Sequence, residues 1–129
     1  ATLETRAEGL EHPWSVAFLP DGRMLVTEKP GRLRIVGPDG LAADPVAGVP
    51  DVLYSGQGGL LEVALHPDFQ TNRWVYLTWT EGTPRDNTLH LGRGELVDGE
   101  WRPLWSGLHY ATRRLWSLKA MGSGTNWML

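Results

Sequence analysis

The sequence predicts an all-β protein of antiparallel four-stranded meanders, a partial β-propeller of about two blades, and three observations carry that expectation. Short apolar runs end repeatedly at turn texts such as Pro20-Asp21-Gly22, Lys29-Pro30-Gly31 and Gly37-Pro38-Asp39-Gly40, where proline presets one dihedral and glycine accepts a positive φ. Seven tryptophans and sixteen glycines among 129 residues describe wide-faced strands joined by tight turns. The third observation is a repeat. Phe18-Leu19-Pro20-Asp21-Gly22 aligns with Leu65-His66-Pro67-Asp68-Phe69, each leading into an apolar return strand, at a spacing of about 45 residues that suits one propeller blade.

Taken in order, Trp14 to Leu19 is a short apolar strand, Met24 to Glu28 its return, and Arg32-Leu33-Arg34-Ile35-Val36 a third strand with polar and apolar side chains alternating. A Pro-rich connection runs from Asp44 to Val52. The second unit then reads Leu60 to Leu65, a turn at His66 to Phe69, Trp74 to Trp79, Thr88 to Val97, a turn at Asp98-Gly99, and Trp101 to Trp105. This divides the chain into blades at about residues 10–52 and 53–107, with a divergent tail at 108–129, where Leu115 to Met121 reads equally as a strand or a helical turn. Both matched turns, at Pro20 to Gly22 and at His66 to Asp68, are expected outside helices.

Composition narrows the function. Apolar residues make up 41% and charged residues 21%, the mix of a folded domain, and 14.3 kDa is enough to bury a core. A formal charge of −3 provides no general basis for holding nucleic acid or an anionic membrane, so neither is expected as a partner. Without cysteine there are no disulfides, thiolate metal sites or thiol nucleophiles. No apolar run reaches the length of a membrane span, and Ala1 to Leu10 lacks the basic flank and apolar centre of a secretion signal, so a soluble chain is expected.

From Leu10 to about Gly107 the text resembles the glucose/sorbosone dehydrogenase family of soluble quinoprotein aldose sugar dehydrogenases. The matching segments are Leu10-Glu11-His12-Pro13-Trp14-Ser15-Val16-Ala17-Phe18-Leu19-Pro20-Asp21-Gly22, then Met24 to Leu33, then Gly56-Gln57-Gly58-Gly59-Leu60-Leu61 running into Leu65-His66-Pro67-Asp68-Phe69. The resemblance implies a six-bladed propeller of which this chain supplies about two blades. It also implies pyrroloquinoline quinone and calcium as cofactors, oxidation of aldoses to lactones, and a periplasmic or secreted location. Gln57 is implied to border cofactor and sugar. The family's basic cofactor ligands and calcium-binding backbone belong to later blades. Its general base is a histidine followed by small residues, an arginine and a leucine. The nearest text is Leu108-His109-Tyr110-Ala111-Thr112-Arg113-Arg114-Leu115, which lacks an early glycine and carries an extra arginine.

Each candidate has a chemical role and a plain alternative. His109 is the side-chain type best suited to take an anomeric hydroxyl proton at neutral pH, against the reading of a half-exposed loop histidine. Gln57 can donate to and accept from a sugar hydroxyl, and its glycine neighbours permit close backbone approach, against a simple glycine-rich turn. Gln57 and His109 are expected on one face. His66, Asp68, His12 and Glu11 are expected in turn hydrogen bonds and not in a metal site. Trp74 and Trp79 are expected to fill space between blades. Gly92-Arg93-Gly94 is too short for a phosphate loop. The function expected first is aldose oxidation in a site completed by self-association. The alternatives are a calcium-dependent propeller lactonase or a non-catalytic, self-associating fragment. Exposed end faces predict a homo-oligomer, either a trimer closing a ring or a dimer.

Overall fold

The computed structural model describes residues 7–109 of the chain. Strands β1 (Pro13–Phe18), β2 (Met24–Glu28), β3 (Arg32–Gly37) and β4 (Gly40–Leu41) form one four-stranded antiparallel sheet in that order. Strands β5 (Leu60–Leu65), β6 (Trp74–Thr83), β7 (Asp86–Val97) and β8 (Glu100–His109) form a second, with a one-turn helix α1 (Phe69–Asn72) between β5 and β6. The chain is a partial β-propeller of two blades. Strand β6 extends past Trp79 to Thr83, and β8 runs through Gly107 to His109, two residues past the division expected at 107.

The internal repeat is visible in the hydrogen bonds. Leu19 N–H donates to Arg23 O at 2.7 Å and Gly22 N–H to Leu19 O at 3.0 Å; in the second blade His66 N–H donates to Trp74 O and Phe69 N–H to His66 O, both at 2.9 Å. Neither turn lies in a helix. In the second, α1 lengthens the loop and carries Phe69 into the core.

Both first strands are bulged at the same place, with register shifts between Pro13 and Val16 and between Leu60 and Val63. A bulge frees an amide that the ladder cannot satisfy. Each is captured by a threonine of the return strand: Ser15 N–H donates to Thr27 Oγ1 at 3.0 Å, and Glu62 N–H to Thr78 Oγ1 at 2.9 Å. Both threonines are buried. Thr27 then donates its own proton to Leu61 O at 2.6 Å, inside the bulge of the next blade. Beside it Leu60 N–H donates to Lys29 O at 2.9 Å and Val63 N–H to Ser15 Oγ at 3.4 Å. Gly59 sits at φ +151°, where an added Cβ would stand 2.4 Å from Lys29 O, so only glycine permits this approach.

One apolar core joins the blades. Leu25 and Leu33 of the first meet Leu60, Val63, Val75, Leu77 and Trp79 of the second, with Leu96 and Trp101 behind them. Trp101 donates its indole N–H to Val75 O at 3.1 Å and meets Trp79 edge-on, ring centres 6.4 Å apart. The rings fit because β7 has no side chains beneath them: a Cβ at Gly92 would lie 2.6 Å from Trp79, and one at Gly94 2.3 Å from Trp101. Trp79 fills space between blades as expected, but Trp74 does not. Five residues apart on one strand, the two point to opposite faces. Trp74 is half-buried on the other side, with the Arg93 guanidinium 4.0 Å over its ring.

The connection between blades is stitched across the second sheet. Ala47 N–H donates to Gly99 O at 3.0 Å and its carbonyl accepts from Trp101 N–H at 2.8 Å, while Leu53 N–H donates to Thr80 O at 2.7 Å. Two outcomes follow for stability. Gly94→Val drives a side chain into the Trp101 ring and is expected to cost about 2 kcal/mol in urea unfolding. Thr27→Val leaves the Ser15 amide and the Leu61 carbonyl unpaired and is expected to cost about 2 kcal/mol, with Thr27→Ser recovering most of it. Unchanged midpoints would remove these contacts from the account.

Candidate functional site

The loop ahead of β5 forms one wall of a cleft of about 390 Å³ lined by Leu53, Ser55, Gln57, Gly58, Leu61, Thr80, Asn87 and Leu89. A turn in which Gly58 N–H donates to Ser55 O at 2.8 Å presents Gln57. Thr80 of β6 holds this loop three ways: its carbonyl accepts from Leu53 N–H at 2.7 Å, its N–H donates to Gly59 O at 3.0 Å, and its hydroxyl accepts from Gly59 N–H at 3.4 Å. The opposite wall comes from the β6–β7 hairpin. There Asn87 commits its NH2 group to Thr83 O at 3.0 Å and Pro84 O at 3.3 Å, leaving its carbonyl oxygen as the accepting atom.

Gln57 thus lines the cleft. His109 is the last residue of β8, and the register pairs it with Leu89, a lining residue, which places its backbone one strand from the cleft wall. His66 is held in turn bonds, its Nδ1 facing Asp68 N–H and the Asn72 amide nitrogen, each at 3.0 Å. The His12 ring lies 5.9 Å from that of Tyr54, next to the Gln57 loop. Among the described residues no three of His, Asp or Glu gather as metal ligands.

A buried charge cluster stands on the first blade's rim. Glu28 is fully buried and accepts from Arg32 Nε at 2.8 Å, from Arg34 at 3.3 Å and from the Glu11 amide, while Arg32 also pairs with Glu11. Burial opposes ionisation of Glu28, but the Glu11 amide and the two guanidinia outweigh it and hold the carboxyl below the usual glutamate range. The cluster holds Glu11, and with it the neighbouring His12 that meets Tyr54. Sequence reading missed Glu28, Thr80 and Asn87. For Glu28 a signal existed, because the tight Lys29-Pro30-Gly31 turn pairs Glu28 with Arg32 across the hairpin. Thr80 and Asn87 carried no local signal.

Comparison with known proteins decides the family. The model for glucose/sorbosone dehydrogenase matches residues 10–115. The chain belongs to that family. It is 44% identical over 99 residues to aldose sugar dehydrogenase YliI of Escherichia coli, a match covering 74% of this chain and 26% of that protein. A crystal structure of a glucose dehydrogenase superposes with a TM-score of 0.74 at 46% identity, covering 84% of this chain and 32% of the other. The PQQ-bound aldose sugar dehydrogenase of Streptomyces coelicolor superposes with a TM-score of 0.67 at 30% identity, covering 83% and 34%. The chain therefore spans about a third or less of the length of these relatives.

Pyrroloquinoline quinone carries several carboxylates, which call for cationic partners. The cleft offers none: its polar groups are a hydroxyl of Ser55, one of Thr80 and the amides of Gln57 and Asn87. These residues do not fit the quinone and suit uncharged hydroxyl groups instead. Among the described residues no helix is long and apolar enough to cross a membrane.

The Glu28 cluster makes a pH prediction. A carboxyl whose folded-state value is lowered contributes stability above its unfolded value and loses it as pH falls through the folded value. Glu28→Gln is accordingly expected to destabilise by about 3 kcal/mol near pH 7, with the difference from the unsubstituted chain shrinking as pH drops below the usual glutamate range. Denaturant midpoints measured across pH check this, and a difference constant down to acid pH refutes it.

Proposed function

We propose that this two-blade unit provides the sugar-contacting wall of an aldose sugar dehydrogenase, with Gln57 hydrogen-bonding a substrate hydroxyl and His109 acting as the base on the anomeric hydroxyl. The supporting observation is that Gln57, Thr80 and Asn87 converge in one cleft without charge, matched to a neutral polyol. Oxidation to a lactone removes a proton from the anomeric hydroxyl and two electrons with hydrogen from its carbon. The relatives' names point to a quinone as acceptor and to sugars as substrates. Its binding groups are not among the described cleft residues, and the calcium expected beside it has no ligand set there either. An extracytoplasmic location is part of the same reading.

The test is glucose binding by saturation-transfer NMR, and oxidation with added quinone, calcium and an artificial acceptor. Gln57→Ala is expected to weaken sugar binding about tenfold, the worth of one hydrogen bond. His109→Asn is expected to leave sugar binding intact and, in an assembly whose other blades complete the quinone site, to lower turnover by about a hundredfold or more. Sugar binding indifferent to Gln57→Ala overturns the site assignment. Lactone opening that a chelator abolishes, without oxidation, overturns the reaction in favour of hydrolysis.

A further inference from the structure

The repeat sets one residue of the second blade apart from its counterpart in the first. Glu28 and Trp79 hold the same place on their return strands, one residue past the threonines that capture the bulge amides, and across the ladder Glu28 pairs with Arg32 and Trp79 with His90. The first blade therefore has an arginine, whose charge is permanent, where the second has a histidine, whose charge is not. Trp79 belongs to the core that joins the two blades, so His90 beside it stands on the side of the second sheet turned to the first blade.

His90 closes a chain of contacts on that side. Its ring stacks on the Trp79 indole, with centres 5.7 Å and planes 20° apart. The Trp79 indole N–H donates to Glu81 Oε1 at 2.9 Å, and the other oxygen of Glu81 lies 3.4 Å from His90 Nε2. Thr88 Oγ1 lies 3.3 Å from the same nitrogen. Nε2 thus meets a carboxylate, which only accepts, and a hydroxyl, which accepts or donates. A neutral ring with its proton on Nδ1 accepts from Thr88 and turns a lone pair toward Glu81, and one with its proton on Nε2 donates without charge behind it. A charged ring donates from Nε2 to Glu81 in a charge-assisted bond. From β6 His90 is faced by Glu81 and Trp79, from its own strand by Thr88, and from β8 the register sets Leu108 beside it. Among the described residues Glu81 is the one charged group within ion-pair distance of it.

This cluster backs the cleft wall. Side chains alternate across a strand, so Glu81 and His90 point away from the face on which their chain neighbours Thr80 and Leu89 line the cleft. The β5–β6 ladder ends at Leu60 opposite Trp79, whereas β6 and β7 stay paired out to Thr83 opposite Asp86, so the hairpin carrying Thr80, Asn87 and Leu89 rises beyond the first strand of its sheet. Glu81 and His90 tie its two strands diagonally at the root of that rise. We propose that Glu81 and His90 are a positioning pair that couples the cleft wall to protonation: charging His90 draws the strands together at the root of the hairpin and firms Thr80, Asn87 and Leu89 against a bound sugar. The effect on sugar rests on the reading of the cleft as a sugar-contacting wall; the movement of the hairpin does not.

NMR of the 15N-labelled chain from about pH 8 to about pH 5, the interval in which histidines change charge, tests the pair without sugar. The Trp79 indole N–H and the amides of Thr80, Asn87 and Leu89 are expected to shift together with the ring resonances of His90. Amides that do not follow the His90 ring overturn the proposal, whatever the sugar does. Glucose affinity by saturation transfer is expected to tighten about threefold as pH falls through the same interval, the worth of one ion pair whose side chains are 45% exposed at Glu81 and 17% at His90. His90→Phe, which keeps a ring on Trp79, and Glu81→Gln, which keeps an acceptor for the indole, are each expected to abolish the tightening with an unchanged circular dichroism spectrum. Tightening that survives both substitutions belongs to another histidine and overturns the proposal, as does an affinity that is constant across the interval in the unsubstituted chain. Amides that follow His90 in a chain that binds glucose at no pH support the hairpin movement and overturn the sugar reading instead, so the two failures are told apart.

Discussion

A buried threonine hydroxyl at the start of each blade sets the geometry on which the rest of this structure depends. In both blades the bulged first strand has one amide too many for its ladder, and Thr27 or Thr78 accepts it. In the first blade the same hydroxyl donates onward to Leu61 O, so a single oxygen defines the bulge of one blade and its distance from the next. An unpartnered amide or carbonyl buried at that place costs about as much as a lost hydrogen bond, and the three groups settle one another. Their fixed spacing brings Gly59 against Lys29 O and lets Leu60 N–H reach the same carbonyl. The Gln57 loop begins one residue earlier and inherits its position.

Charge is kept apart from the cleft. The buried ionic cluster stands on the first blade, where every oxygen of Glu28 is engaged by Glu11, Arg32 or Arg34. A carboxylate so committed is a structural clamp with no spare capacity to act as acid, base or ligand. The cleft instead gathers neutral donors and acceptors. The β8 register brings the backbone of His109 to the strand beside the cleft residue Leu89.

Much of this was legible in the text. Turns at Pro20 to Gly22 and His66 to Asp68, strand β2 and strand β5 lie where glycine, proline and apolar runs put them, because short-range turn chemistry decides such elements. The one-turn helix at Phe69–Asn72 was not, since four residues are too few for a periodic signal. Gly92 and Gly94 read only as part of the strand from Thr88 to Val97; that they are cleared for two indole rings is a fact that exists only once Trp101 has come back across the sheet. Trp74 was open to a better reading: strand parity alone separates it from Trp79. Of the cleft lining, Gln57 was singled out by the family resemblance together with its glycine neighbours. Thr80 and Asn87 were hidden, because their roles arise from long-range pairing of β6 with the loop and from a side chain folded back into its own turn.

The repeat also sets two equivalent residues to different work, one of them beside the cleft of the second blade. Lys29, just past β2, and Thr80, within the longer β6, occupy equivalent register positions, for Lys29 N–H donates to His12 O and Thr80 N–H to Gly59 O, each at 3.0 Å. The carbonyls of the two residues have different duties. That of Lys29 accepts from Leu60 and docks the following blade, whereas that of Thr80 accepts from Leu53 and holds the chain's own loop. The threonine hydroxyl at the position equivalent to Lys29 adds a further tie to Gly59. In the second blade this position ties the loop to the sheet, and the space between that loop and the β6–β7 hairpin is the cleft.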